Sequence, residues 1–248
     1  MKRWPLLGLG LGAYALSLIA TAPASLIDAA LQAASASRLR LVEARGTLWS
    51  GAGLIELRDE KHRSSVAKNI AWQVLPAYLL RGELRCEVEL EEPGKHFPVT
   101  LSTARVEVAD ADIALPAAAL GLGVPELTSL GLLGEVLLHI ERLSLAPGAI
   151  HGNATLQWRA AGSAFTRVSP LGDYELRFAG EGAAARASLH TLRGPLQLDG
   201  NGTWKAGGKS VFQGTARIAP QHLQQLAPLL RLIAIERGEG LFDLQLVF

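Results

Sequence analysis

The chain has 248 residues, with 24 Lys+Arg against 23 Asp+Glu and a net charge of +1. A balance this close to neutrality, with no Lys/Arg run interleaved with aromatics, excludes a dedicated nucleic-acid binder. Hydrophobic residues make up 49% and charged residues 19%, and much of that apolar excess gathers at the N-terminus.

The opening, "MKRWPLLGLGLGAYALSLIATAPASLIDAAL", carries Lys2 and Arg3 and then no charge before Asp28. The uncharged stretch of about 24 residues can cross a hydrocarbon core of about 30 Å. The rival reading is a cleaved signal peptide, ending at Ala20-Thr21-Ala22 or at Ala22-Pro23-Ala24. Pro23 at the first mature position disfavours the former site. The reading adopted is a retained anchor over residues 1–24, with Lys2 and Arg3 on the cytoplasmic side and the rest outside the inner membrane. Gly8 and Gly12 form G-x-x-x-G, read as glycine tolerated in such a helix rather than as a helix-pairing face. Residues 25–37 form a connecting segment able to continue as a short helix, and residues 38–248 form one β-rich domain.

From Arg38 onward apolar and polar residues alternate. In "RGELRCEVEL" Leu84, Cys86, Val88 and Leu90 fall on one face, with Glu83, Arg85, Glu87 and Glu89 on the other. Period two marks a half-buried strand. "GNATLQW", "GDYELRF" and "LFDLQLVF" repeat the pattern. "PVTLSTARVEVADADIAL", "ARASLHTL", "GPLQLDG" and "SVFQGTARI" are further strands. In "EVLLHIERLSL" the apolar phase slips after Ile140, which predicts a bulge near Glu141. Turn signals separate these runs: "RDEKHRSS", "EEPGKH", "APGAIHG", "AGEGAAA", "LRGP", "DGNG" and "KAGGKS". Strand, short turn, strand is the grammar of antiparallel pairing, and no long helices alternate with strands as a parallel sheet requires. Two stretches read helical. "LPAAALGLGVPELTSLG" is broken by Gly and Pro. "APQHLQQLAPLLRLIA" has Pro220 in its first turn and Leu223, Leu226, Leu229 and Leu230 at helical spacing, with Pro228 ending or kinking it.

"RGTLWSG", "GNATLQW" and "GNGTWKAG" each run from glycine to tryptophan. The expectation is a strand leaving a tight turn, with Trp49, Trp72, Trp158 and Trp204 as architectural anchors. Ser50-Gly51 reads as the turn after Trp49. Cys86, the one cysteine, reads as a small core residue.

No residue set points to catalysis, metal or a cofactor. His62, His96, His139, His151, His190 and His222 show neither H-x-x-x-H nor H-E-x-x-H spacing, and His139 and His190 fall on polar strand faces. "AGGKS" lacks the first glycine and the following helix of a phosphate loop. Ser65 and Lys68 make an S-x-x-K without its companion motifs. Glu91-Glu92 and Asp110/Asp112 read as solvated pairs. The sequons at Asn153 and Asn201 sit on expected strands.

The order of these segments resembles a known family. "LRLVEARGTLWSGAGLIEL" is followed by "IAWQVLPAYLLRGELRCEVEL", in which Trp72, Pro76 and Leu79-Leu80 lead to Gly82. "LQWRAAGSAFTRVSPLGDYEL" and "TLRGPLQLDGNG" come next. This succession is similar to protein N of the type II secretion system, the GspN family of Gram-negative bacteria. The resemblance implies a bitopic inner-membrane protein with a periplasmic domain, an accessory of the machine that exports folded proteins, with no catalytic residues to carry over. It also implies an outline similar to AsmA-like proteins, a curved antiparallel β-sheet forming a trough with short helices. The expected partners are other secretion components and the inner-membrane bilayer. The alternative is an AsmA-like lipid-binding or lipid-transfer protein, with Leu84, Val88, Leu156, Leu176 and Leu198 lining an apolar groove that holds lipid. An envelope hydrolase is the third and weakest class.

Overall fold

The computed structural model describes residues 4–35, 37, 39–58, 64–91, 94–123, 127, 130–205 and 210–247. The chain divides into two compact units, Met1–His96 and Phe97–Phe248. It is mainly β, and every described ladder is antiparallel. The expected turns at 59–63 and 206–209 lie outside the described residues, as do His62, Glu92, Lys209 and the side chain of Ser65.

The first unit opens with α1 (Trp4–Ala20), 17 residues long, about 25 Å at 1.5 Å per residue. Among the described residues no helix is long and apolar enough to cross a membrane. The helix ends before residue 24, the expected limit, because Pro23 has no N–H and biases Ala22 towards extended backbone. Residues 22–24 instead join the sheet hairpin: Pro23 bridges Thr47, and Ala24 N donates to Gly46 O at 3.3 Å. The connecting segment holds a separate helix, α2 (Ser25–Ala34). Its Ile27 and Leu31 pack with buried Ala24, Leu41 and Trp72. Asp28 fastens it to the sheet, accepting from Leu41 N at 2.9 Å and from Arg40 Nε at 3.3 Å.

The strands here are β1 (Leu39–Gly46), β2 (Ser50–Arg58), β3 (Ser64–Leu75) and β4 (Glu83–Leu90), paired in chain order. Cys86 faces Val74, Val88 faces Trp72 and Leu90 faces Ile70 across the β3–β4 ladder, the face that alternation assigned them. Glu43, at φ 53°, sits where the β1–β2 register shifts. A single αL residue in a bulge of this kind bends the strand locally.

The second unit contains β5 (His96–Ser102) from its second residue on, β6 (Val106–Pro116), β7 (Leu132–Ala146), β8 (Ala149–Ser163), β9 (Gly172–Gly182), β10 (Ala184–Arg193), β11 (Leu196–Lys205), β12 (Val211–Ile218), β13 (Ala234–Gly238) and β14 (Leu241–Val247). Strand order follows the chain to β12; then β14 inserts, leaving β13 at the edge. Short helical turns interrupt the strands, among them α3 (Leu120–Gly123) and α4 (Leu223–Leu230). The β7–β8 register shifts between Ile140 and Arg142, at the bulge expected near Glu141. Gly152 lies against it at φ 114°, where a Cβ would collide with the Arg142 carbonyl.

The core of this unit forms where α4 crosses the strands. Leu226, Ala227, Leu229 and Leu230 pack on Leu196, Ala216, Ile218, Phe242 and Leu244, with Leu130, Val168 and Leu171 beside them. Residues 223, 226, 227 and 230 share one helical stripe. Burying Leu226 completely contributes about 1.5–3 kcal/mol. Pro228 lies inside the helix, which ends two residues later.

One expected turn is a strand. "DGNG" (199–202) runs through the middle of β11. Its glycines admit a ring rather than a bend: a Cβ on Gly200 would lie 2.5 Å from Phe212 Cζ, and one on Gly202 3.0 Å from Phe212 Cδ2. The reverse holds at "RGTLWSG". Thr47–Trp49 form the turn itself, and Ser50-Gly51 begin β2. Gly51 is needed because a Cβ there would lie 2.4 Å from the Arg45 carbonyl oxygen and 2.5 Å from the Trp72 ring.

Candidate functional site

The registers of the second unit separate its two faces. Asp112, His139, Thr155, Arg177, Ser188, Asn201, Gln213 and Gln245 stand opposite one another in one row from β6 to β14. Their chain neighbours Ile113, Leu138, Leu156, Leu176, Leu189, Gly200, Gly214 and Leu244 form the adjacent row. Successive residues of a strand point to opposite faces. The polar row and the apolar row therefore lie on opposite faces of the strands.

On the face of the polar row Glu175 is a buried carboxylate, 7% exposed. Gln157 Nε2 donates to it at 3.0 Å and Arg177 Nε at 2.7 Å, while His190 Nε2 lies 3.4 Å away. The bond from Gln157 outweighs the cost of burial and, with Arg177, holds the Glu175 carboxyl below the usual range. Beside it Asp173 accepts from Ala160 N at 2.8 Å and from Arg193 Nε at 2.5 Å. Ala160 has φ 45° at the β8 bulge, so Asp173 satisfies the backbone N–H that the bulge takes out of the ladder. That bond, then Arg193, lowers the Asp173 pKa.

Two shallow hollows lie along this row. One of about 670 Å³ is lined by Asp199, Asn201, Gln213, Thr215, Arg237 and Asp243, among others. A second of about 500 Å³ includes Thr155, Arg177, Arg186, Ser188 and Thr203. The first presents amides, a hydroxyl and charges of both signs; the second adds two arginines and hydroxyls to a largely apolar lining that includes Ala154, Phe178, Ala179 and Ala187. His139 Nδ1 lies 2.7 Å from Asp112 Oδ1. Among the described residues no three His, Cys, Asp or Glu side chains gather to hold a metal ion.

Of the expected groove residues, Leu156 and Leu176 are cross-strand partners. Leu198, two residues before Gly200 on β11, shares their face. All three are half-buried. Leu84 and Val88, also half-buried, belong to the first unit.

The four expected tryptophan anchors differ in setting. Trp72 is 7% exposed, and its indole donates to Thr47 O at 3.3 Å. Trp49, half-buried in the β1–β2 turn, donates from its indole to Ile19 O at 2.8 Å. Trp158 packs 5.7 Å from the Tyr174 ring and donates to Leu133 O at 3.0 Å. Trp204, at the end of β11, is 42% exposed. Tyr174, which sequence reading placed only on an apolar face, is 2% exposed and donates to Leu196 O at 2.9 Å. Burial pushes its phenol pKa up. Burial likewise raises the Cys86 thiol pKa.

A family model, type II secretion system protein N, matches residues 37–245. The match takes in β1 through most of β14 and leaves α1 and α2 outside. No curated protein and no solved structure matches the chain. The chain belongs to the protein N family of the type II secretion system.

Proposed function

We propose that this chain is an inner-membrane accessory of the type II secretion apparatus, and that it works by binding other components in the periplasm rather than by catalysis. The observation that carries this reading is the family match over nearly the whole strand region. The continuous polar row of the second unit supports a binding role, since amides and paired charges suit a wet protein interface. Residues 1–24 serve as the anchor, 25–37 as the connector and 38–248 as the periplasmic part. In α1, Leu11, Leu18 and Ile19 are more than half exposed, which suits a lipid surrounding. The uncharged stretch runs on through Ile27, beyond the 17 helical residues.

Lipid handling is the second reading, favoured by the half-buried apolar row at Leu138, Leu156, Leu176 and Leu189. That row would line the trough that the AsmA-like outline implies. One experiment separates the two. A photo-crosslinker replaces Arg186 on the polar face, and Leu156→Asn is made on the other. The secretion reading expects crosslinks from position 186 to apparatus components. It also expects loss of exported cargo when the chain is deleted, and unchanged envelope lipid in Leu156→Asn cells. Altered lipid beside normal export and no crosslinks overturns it in favour of the lipid reading.

A further inference from the structure

The connection between β3 and β4 is a tight 3-10 turn, Pro76–Arg81, with no buried residue. Leu80 at its tip is 94% exposed and Leu79 is 42% exposed. The turn is held from both ends. Pro76 restricts its first φ, and Gly82 closes it at φ 73°, its N–H donating to Leu79 O at 3.0 Å. Arg85 lies 5.1 Å and Arg81 5.9 Å from the Tyr78 ring centre. Arg85 also donates to the Tyr78 hydroxyl at 3.3 Å. Two leucines held outward on a built turn form an apolar tip with no cover from the unit that carries it.

The position of the turn indicates what covers it. Near the end of β3, Val74 N donates to Trp49 O at 2.7 Å. The Trp49 indole donates to Ile19 O at 2.8 Å, and Leu48 N to Ala22 O at 2.8 Å. The turn thus leaves the first unit at the edge where the last turn of α1 joins it. The turn and the start of β4 bring leucines, an aromatic ring and arginines together. Those are the side-chain classes found at a lipid–water boundary, apolar groups in the acyl region, aromatic rings at the headgroups and long cations alongside. Glu83 and Glu87 flank Arg81 and Arg85, and Arg85 Nε lies 3.5 Å from Glu87 Oε1. The four charges cancel, so the apolar tip rather than attraction to anionic headgroups drives contact.

We propose that Leu79 and Leu80 insert into the leaflet of the bilayer that α1 enters, giving the first unit a second, interfacial hold on the membrane. This rests on the reading of α1 as an anchor. The test uses the full chain with Cys86→Ala, reconstituted in phosphatidylethanolamine vesicles with and without phosphatidylglycerol. One variant adds Leu80→Cys and another Leu11→Cys, each carrying an environment-sensitive fluorophore. Lipids bearing quenchers at shallow or deep acyl positions are then included. The expected result is quenching at both sites, strongest for position 80 with the shallow quencher, and unchanged by salt or by phosphatidylglycerol. Quenching at 11 without 80 overturns the insertion and leaves the anchor standing. Quenching at 80 without 11 upholds the insertion and overturns the anchor. Quenching at neither overturns both. Contact at 80 that needs phosphatidylglycerol and is lost in salt overturns apolar insertion. A label at 80 that is blue-shifted but unreached by lipid quenchers means that a second copy covers the tip, and this too overturns the proposal.

Discussion

Glu175 is 7% exposed yet carries a lowered pKa, because Gln157 and Arg177 bond its charged form. A carboxyl whose folded pKa is depressed stabilises fully above its unfolded value, and that contribution is lost as pH falls through the folded value. The ordinary value here is 4.5. Glu175→Gln keeps the size and removes the charge. Its melting temperature is expected below wild type at pH 7, with the gap closing as pH falls below that value. Asp28 and Asp173, also depressed, titrate in both proteins and cancel in the difference. Thermal melts of the pair across pH 3 to 7 check this, and a constant gap would remove the charge from the account.

At the scale of elements, α4 illustrates how this fold obtains a closed core from open strands. Leu226 is 0% exposed beneath it, while Leu232, just beyond its end, is 65% exposed. Leu226→Ala removes buried methyl groups and leaves a cavity, at a cost of about 2–5 kcal/mol. Leu232→Ala should change stability by no more than about 0.5 kcal/mol. Urea midpoints of the two variants test whether α4 is the cover that the packing indicates. Similar midpoints would mean that the helix is dispensable.

At the scale of the whole molecule, the question is whether the N-terminal segment is retained. Ala24 is 2% exposed in the core of the first unit, and Ala22 O and Ile19 O accept bonds from Leu48 N and the Trp49 indole. Cleavage between residues 20 and 25 would cut through packed structure, so the mature protein is expected to keep α1. Intact-mass measurement on membrane-extracted protein checks it; a chain beginning at Pro23 or Ser25 refutes it. With Lys2 and Arg3 ahead of the apolar stretch, an alkaline phosphatase fused after Phe248 should be active on the exported side. Activity only of a cytoplasmic reporter would reverse the orientation.

Period-two alternation, which depends only on neighbours along the chain, determined the mainly β, antiparallel character, the face of Cys86 and Val88, the polar placement of His139 and His190, and the bulge beside Glu141. Helical spacing of leucines likewise determined α4. These are local signals, and local geometry obeyed them. The tertiary structure decided what depends on partners distant in sequence. Gly200 and Gly202 looked like a turn because glycine is ambiguous alone, and the Phe212 ring makes them strand residues. Gly51 became a strand residue for the same reason, beneath Trp72. Glu175 reads as an ordinary outward carboxylate until Gln157 of β8 and His190 of β10 close around it. The polar row from Asp112 to Gln245 exists only once the register of each ladder is set. A one-residue slip would send each strand's side chains to the opposite face, and that choice is made between strands rather than within one.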